Sequence, residues 1–151
     1  NYTTNAGTAT SYGGELEVLA KITPQFTMTA NIGYTNVEFD EYEDASGDYS
    51  NNKPPNVPEY TFAIGCQYRP GNGFYANVDW AGIGKTYLER TNTYERDAYQ
   101  LINAKIGYEA EDWDIYLYGK NIFDEDYSKK DATYVYYSDQ REIGVKLTYR
   151  L

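Results

Sequence analysis

Glu142-Ile143-Gly144-Val145-Lys146-Leu147-Thr148-Tyr149-Arg150-Leu151 is the stretch from which the fold can be read. Ile143, Val145, Leu147, Tyr149 and Leu151 take alternate positions, and Glu142, Gly144, Lys146, Thr148 and Arg150 take the positions between. Successive side chains of a strand point to opposite faces, so this segment is a strand with one apolar and one polar face. The same split recurs upstream. Ile102, Ala104, Ile106 and Tyr108 oppose Asn103, Lys105, Gly107 and Glu109, and Phe74, Ala76, Val78 and Trp80 oppose Tyr75, Asn77 and Asp79. Tyr60, Phe62, Ile64, Cys66 and Tyr68 alternate with Thr61, Ala63, Gly65, Gln67 and Arg69. Phe26, Met28, Ala30, Ile32 and Tyr34 alternate with Thr27, Thr29, Asn31 and Gly33. The first segment, Tyr12 to Ile22, follows the rule except at Leu19, and the segment Trp113 to Phe123 breaks it at Tyr116 and Tyr118.

Thr23-Pro24-Gln25, Pro70-Gly71-Asn72-Gly73 and Ala110-Glu111-Asp112 are tight, turn-forming links. The other links are long and polar, near residues 41–57, 89–97 and 125–139. Short and long links therefore alternate. Strands of about 11 residues meet the roughly 9–11 needed to cross a bilayer at a tilt, and membrane barrels have short turns on one side and long loops on the other. The expected fold is all-β, an antiparallel meander of about seven long strands forming part of a transmembrane β-barrel. A soluble sandwich or barrel also alternates, but it leaves the loop rhythm and the strand length unexplained.

Composition narrows the function. Tyrosine is abundant, with 19 copies against 5 Phe and 2 Trp, and its apolar ring with a polar tip suits boundaries between water and lipid. A mean hydropathy of -0.74 reflects the alternation, and no run approaches the roughly 20 apolar residues of a membrane helix. The net charge of -10 offers no basic stripe for nucleic acid. With no histidine and the single Cys66, there is no Ser/His/Asp triad, internal disulfide or thiolate cluster. Gly82-Ile83-Gly84-Lys85-Thr86 lacks the upstream glycine of a phosphate loop and lies in a strand pattern. Neither an enzymatic activity nor a cofactor is expected. The start of the sequence carries no apolar secretory segment, as in a mature piece or a fragment.

Four segments resemble the TonB-dependent outer-membrane receptors, in family order. Asn5-Ala6-Gly7 with Ser11-Tyr12-Gly13-Gly14-Glu15-Leu16-Glu17 is similar to one of their strands, and Asn56-Val57-Pro58-Glu59-Tyr60-Thr61 to the start of a later one. Gly119-Lys120-Asn121-Ile122-Phe123-Asp124-Glu125-Asp126-Tyr127 resembles their "N-L-F-D-x-x-Y" segment, and Arg141 to Tyr149 their final strand, although this sequence closes on Leu151 where Phe is usual. The resemblance implies a plugged barrel of about 22 strands, of which this chain would be the C-terminal third. It also implies a place in the bacterial outer membrane and energised uptake of a scarce nutrient such as a ferric siderophore. The implied partners are the lipid bilayer, the remainder of the barrel, the plug, TonB through an N-terminal part lacking here, and a small-molecule ligand. A passive porin-like or structural barrel is the alternative among membrane proteins, and a soluble tyrosine-rich β binding module the alternative outside them.

On that reading Ile64, Val78, Ile106, Val145 and Leu147 face lipid. Tyr87, Tyr94, Tyr134, Tyr136 and Tyr137, in or near the outer loops, are candidates to contact a flat or aromatic ligand. Membership of an aromatic girdle at the membrane boundary competes for the tyrosines as a group. Asp40, Glu41, Glu43 and Asp44 belong to an acidic run, with Glu38 and Asp48, at the start of the first long loop. They could hold Ca²⁺ through oxygen ligands or simply keep the loop solvated.

Overall fold

The computed structural model describes residues 7–130 and 132–150; Asn5, Ala6 and Leu151, used above, lie outside them. In chain order the strands are β1 (Thr8–Lys21), β2 (Phe26–Glu41), the short pair β3 (Glu43–Asp44) and β4 (Gly47–Asp48), β5 (Tyr60–Tyr68) and β6 (Phe74–Ile83). The short pair β7 (Thr86–Tyr87) and β8 (Glu95–Arg96) follows, then β9 (Tyr99–Glu109) and β10 (Trp113–Lys120). A last short pair, β11 (Lys129–Lys130) and β12 (Val135–Tyr136), precedes β13 (Glu142–Tyr149). The long strands form one seven-stranded sheet in the order β1-β2-β5-β6-β9-β10-β13. Every pairing in it is antiparallel, so each strand lies beside its predecessor as a meander.

Register turns the seven alternations into two faces. Leu16 lies opposite Ile32, Ile32 opposite Phe62, Ile64 opposite Trp80 and Trp80 opposite Ile102. Further along, Ala76 meets Ile106, Ile106 meets Leu117 and Leu117 meets Val145. A slip of one residue anywhere would turn that strand's apolar set to the other side. The resulting face is apolar from edge to edge and is left open. Val145 is 66 % exposed and Leu147 69 %; Val78 and Ile106 are also exposed, and Ile64 is half-buried. The buried hydrophobic side chains among the described residues are Tyr49, Tyr75, Leu88 and Tyr116, none of them on this face. The surface of 10492 Å² exceeds the roughly 7,800 Å² expected of a compact monomer of this mass. A soluble sandwich would have covered the apolar face with a second sheet.

Aromatic residues bound that face at both ends. Tyr68, Phe74, Tyr108, Trp113 and Tyr149 lie toward the short turns, with Tyr68–Phe74 rings 6.5 Å apart and Tyr108–Trp113 rings 5.9 Å apart. Tyr12, Tyr34, Tyr60 and the edge-to-face pair Phe62–Trp80, at 4.9 Å, lie toward the long loops. From Tyr60 to Tyr68 a strand rises about 27 Å. At a tilt near 40° that is about 21 Å of height, close to the roughly 25 Å apolar band of membrane barrels.

The break at Tyr116 and Tyr118 has a local cause. Both sit on the polar face, Tyr116 opposite Gly107 and Tyr118 opposite Gly144. A Cβ at Gly107 would come within 2.6 Å of the Tyr116 ring, and one at Gly144 within 2.5 Å of the Tyr118 hydroxyl. Each ring therefore lies across a neighbouring strand where no side chain stands. Their hydroxyls donate to Glu109 at 2.7 Å and Glu142 at 2.8 Å, which makes a tyrosine a polar-face residue here. Arg69 also donates to Glu109, at 3.0 and 3.2 Å, and lies over the Tyr75 ring.

The long links differ from the plain polar stretches expected of them. Each carries a two-residue hairpin, β3–β4, β7–β8 or β11–β12. Strand β2 also runs on to Glu41, so Glu38, Asp40 and Glu41 belong to a strand and not to the first loop. The upper part of β2 pairs with the loop itself, Phe39 N–H donating to Asn52 at 2.9 Å and Asn51 N–H to Phe39 at 2.7 Å.

Candidate functional site

The three long loops, at residues 42–59, 84–98 and 121–141, emerge at one end of the sheet. The first two are joined. Arg90 reaches from the second loop into the first, donating to the Tyr42 hydroxyl at 2.9 Å and pairing with Asp44 at 2.5 Å. Its guanidinium lies 4.4 Å from the centre of the buried Tyr49 ring. Two further exchanges fix the register between the loops: Lys53 N–H donates to Asn92 Oδ1 and Asn92 Nδ2 to Lys53 O, both at 2.8 Å. Asn52 Nδ2 donates to Arg90 O at 2.8 Å, and Asn56 N–H to Tyr87 O at 2.8 Å.

Charge and geometry reinforce one another there. The Ser46 N–H, 2.7 Å from Asp44 Oδ1, holds the Asp44 carboxyl below the usual carboxylate range. Desolvation opposes that effect and Arg90 adds to it. In the second loop, burial works to raise the Glu89 carboxyl. The Thr91 hydroxyl and the N–H groups of Tyr94, Thr91 and Thr93 outweigh burial and leave it lowered. Glu89 thus closes the tip of that loop on itself.

The third loop is organised by Asn121 and Asp124, both at positive φ, 44° and 57°. Asn121 is buried, and its side chain accepts from Glu125 N–H at 2.8 Å while donating to Asp139 O at 2.8 Å and Glu125 O at 3.0 Å. Asp124 Oδ1 accepts from Arg141 N–H at 2.9 Å. The "N-L-F-D-x-x-Y" pattern is therefore a loop clasp: short polar side chains that tolerate left-handed backbone and return its hydrogen bonds. Its tyrosine, Tyr127, stacks on Tyr99 with centroids 4.1 Å apart. Lys129–Asp97, at 2.6 Å, and Arg96 over the Tyr136 ring, at 5.8 Å, tie this loop to the second.

The five tyrosines expected to meet ligand are on these loops but do not converge. Tyr87 is in β7 beneath Lys85, 5.0 Å from its ring, and Tyr94 is exposed at the second loop's tip. Tyr136 lies in β12 against Arg96, while Tyr134 and Tyr137 are exposed. Tyr137 alone of the five lines a polar cavity of about 680 Å³, with Asp124, Glu125, Asp126, Ser128 and Arg141. Sequence reading missed Arg90 and Asn92, because each acts through a partner 39 to 48 residues away; Asn121 stood in the quoted motif, but its bond to Asp139, 18 residues away, did not show there. Nor are the four Ca²⁺ candidates brought together. Asp40 accepts from Thr10 at 2.9 Å and Asp44 is committed to Arg90. No group of three or more acidic, thiol or imidazole side chains among the described residues is placed to hold a metal ion.

A one-layer meander with an open apolar face, a charged opposite face and linked loops at one end is a section of membrane-barrel wall. The chain belongs to the TonB dependent receptor-like β-barrel family, whose model matches residues 1–122. Solved relatives share the fold. The ferric yersiniabactin uptake receptor FyuA from Yersinia pestis superposes with a TM-score of 0.82 at 22 % identity, covering 95 % of this chain and 24 % of that one. The siderophore receptor PiuA from Acinetobacter baumannii gives 0.80 at 21 % identity, covering 92 % and 21 %. The copper transporter OprC gives 0.69 at 16 %, covering 93 % and 23 %. The chain thus spans about a quarter of the structures it matches, and these relatives are receptors and transporters, not enzymes.

Proposed function

We propose that this chain is the C-terminal section of the barrel of a TonB-dependent receptor in the bacterial outer membrane, a receptor that imports a scarce nutrient such as a ferric siderophore. The observation that carries this reading is the continuous, exposed apolar face bounded at both ends by aromatic residues. Such a face is stable against acyl chains and unstable against water. Ile64, Val78, Ile106, Val145 and Leu147 then meet lipid, and the face of Lys105, Glu109 and Lys146 lines the lumen. The three long loops are extracellular and the short turns periplasmic. The edge strands β1 and β13 each have one neighbour in the sheet. Unpaired backbone groups in lipid cost several kcal/mol each, so both edges pair with further barrel strands. A plug inside the barrel and TonB beyond it complete the machine.

The cargo is the finer part of the proposal. FyuA is a ferric yersiniabactin uptake receptor, PiuA a siderophore receptor and OprC a copper transporter on the same fold, so this fold does not by itself fix the cargo. Exposed Tyr94, Tyr134 and Tyr137 offer flat apolar surface with a polar tip, which suits a metal–siderophore complex. The test is uptake of labelled ferric siderophores by cells carrying the full receptor as their only such transporter. Uptake should vanish on deleting the receptor and on collapsing the proton gradient. Uptake that survives loss of the gradient would make the barrel a passive pore. No siderophore uptake with gradient-dependent copper uptake would move the cargo and keep the machine.

A further inference from the structure

An alternating pattern fixes which face a strand shows but leaves its register open by two residues, since a slip of two returns every side chain to the same face. That freedom matters most at β13. The strand has one neighbour in the sheet, β10, and the long loop 121–141 between them is long enough to take up a slip. Its apolar set, Ile143, Val145, Leu147 and Tyr149, reads equally well two places up or down.

One side chain tells the registers apart. Arg150 continues β13 toward the short turns, and its N–H donates to Asp112 O at 2.8 Å, one step past the Trp113–Tyr149 pair. From there its guanidinium reaches two ways. Nη1 donates to Ala110 O at 3.1 Å and Glu111 O at 3.0 Å, in the turn before β10. Nη2 pairs with Asp114, on the other side of Asp112 along the chain. Asp114 is 6 % exposed, and Arg150 is the one hydrogen-bond partner of its carboxylate among the described residues. A slip of two residues displaces β13 by about 7 Å, more than twice a hydrogen-bond length. A slip toward the long loops sets Arg150 beside Asp114 and strips it from the turn carbonyls. A slip toward the short turns draws Arg150 away from Asp114 and leaves a buried carboxylate unpaired, which is strongly unfavourable. Tyr118 lying over Gly144 is a second mark of register, but its hydroxyl bonds the exposed side chain of Glu142, which can follow the ring. Backbone carbonyls and a buried aspartate cannot follow.

We propose that Arg150 is a two-way register stop for β13, with Asp114 barring a slip toward the short turns and the Ala110 and Glu111 carbonyls barring one toward the long loops. Arginine suits the task because its planar fork sets several donors in fixed directions, whereas lysine has one compact ammonium. In a closed barrel, strand stagger and barrel size are linked. On the reading of this chain as barrel wall, the stop therefore also sets the stagger at which the free edge of β13 meets its next strand. The register itself does not depend on that reading.

Disulfide mapping tests the stop in the full receptor, with its native cysteines, Cys66 included, replaced by serine. The bond from Arg150 N–H to Asp112 O makes the polar-face pairs the hydrogen-bonded ones and the apolar-face pairs the close ones, which suit a disulfide. Cysteines at Leu117 and Val145 therefore report the native register. Cysteines at Leu117 and Leu147 report a slip toward the long loops, and those at Ile115 and Val145 a slip toward the short turns. Arg150→Lys keeps the pair with Asp114 and loses the turn carbonyls, so the Leu117–Leu147 link should rise about tenfold over the parent, as loss of one net hydrogen bond predicts. Asp114→Ala should instead raise the Ile115–Val145 link, and Tyr118→Ala should raise neither. The two opposite directions are a result that general loss of stability does not mimic. Native links alone in both the Arg150 and Asp114 variants, or the same slipped link in both, would overturn the stop. Slipped links in Tyr118→Ala with none in the other two would move it to the Tyr118–Gly144 contact. Slipped chains should also lose the compact mobility of a closed barrel on unheated gels, and slipped chains that keep it would overturn the effect on closure alone. Failure of the wall reading shows separately, as a single cysteine at Val145 of the otherwise unaltered parent that reacts with a water-soluble maleimide.

Discussion

Val145 and Lys146 are adjacent in the chain and opposite in setting. Val145 stands on the open apolar face beside Leu117, and Lys146 on the polar face beside Tyr116. Arginine placed at Val145 or Val78 of the full receptor should cost about 2–4 kcal/mol near the bilayer midplane. Thr148→Ser, on the other face, should cost less than about 0.5 kcal/mol. Reversible unfolding from lipid vesicles in urea measures both, and equal costs would mean the faces are misassigned. Arg90 makes a second residue-scale prediction. Arg90→Ala removes the ion pair with Asp44, the hydrogen bond to Tyr42 and the cover over Tyr49, so amide exchange in the first loop should quicken around Tyr49 and Asn52 while the strands keep their protection. The pH response has a fixed sign. Asp44 is lowered in the folded loop, so its contribution is present above the unfolded carboxylate pKa of about 3.9 and is lost as pH falls through the lower folded value. Exchange in wild type should be steady, after correction for intrinsic rates, down to about pH 5. It should rise only below the ordinary carboxylate range, and a rise near neutrality would remove Asp44 from the account.

At the scale of elements, the strands were legible because alternation over eight or more residues leaves one way to bury or expose a face. The loops were not. Two-residue hairpins such as β3–β4 carry no period, and the extension of β2 to Glu41 is held by backbone bonds to Asn51 and Asn52, which polar composition does not announce. The irregular strand β10 became intelligible through its neighbours, since Tyr116 and Tyr118 need Gly107 and Gly144 on other strands. The clasp of the third loop is the element most exposed to one mutation. Asn121→Ala strips its side-chain partners from Glu125 and Asp139 at a site of positive φ, and each buried group left unpaired costs about 1–3 kcal/mol. Asn121→Gly relieves the backbone but not the hydrogen bonds, so it should be the milder change and still impaired. Limited proteolysis of the intact receptor between residues 125 and 139 reads this directly. Cleavage in both variants, faster in Asn121→Ala, is expected, and resistance in either would mean the clasp is dispensable.

For the whole molecule, sidedness is the property on which the transport proposal turns. In a Cys66→Ser parent, cysteines at Ser46, Thr93 and Ala132 should react with an impermeant thiol reagent on intact cells, and cysteines at Asn72 and Glu111 should react only after the outer membrane is opened. The reverse pattern would place the long loops in the periplasm. On the proposed reading, a sheet with 10492 Å² of surface and an uncovered apolar face owes its stability to lipid and to neighbouring strands and not to a core of its own. Charge is likewise distributed by height, acidic on the first and third loops, with Lys105 on the wall below over the Tyr75 and Tyr116 rings.

The sequence by itself determined the strands, their two faces, the alternation of short and long links and the family, because each is written in nearest-neighbour spacing or in motifs a few residues long. It also offered no basic stripe for nucleic acid and no histidine for a Ser/His/Asp triad. Only the tertiary structure decided what the exceptions mean and which residues work together. Arg90 meets Tyr42 across 48 residues, Asn92 meets Lys53 across 39 and Asn121 meets Asp139 across 18. A period-two pattern fixes the direction of a side chain relative to its own strand. The partner it meets depends on registers set jointly by all the strands, and that information is distributed over the whole chain.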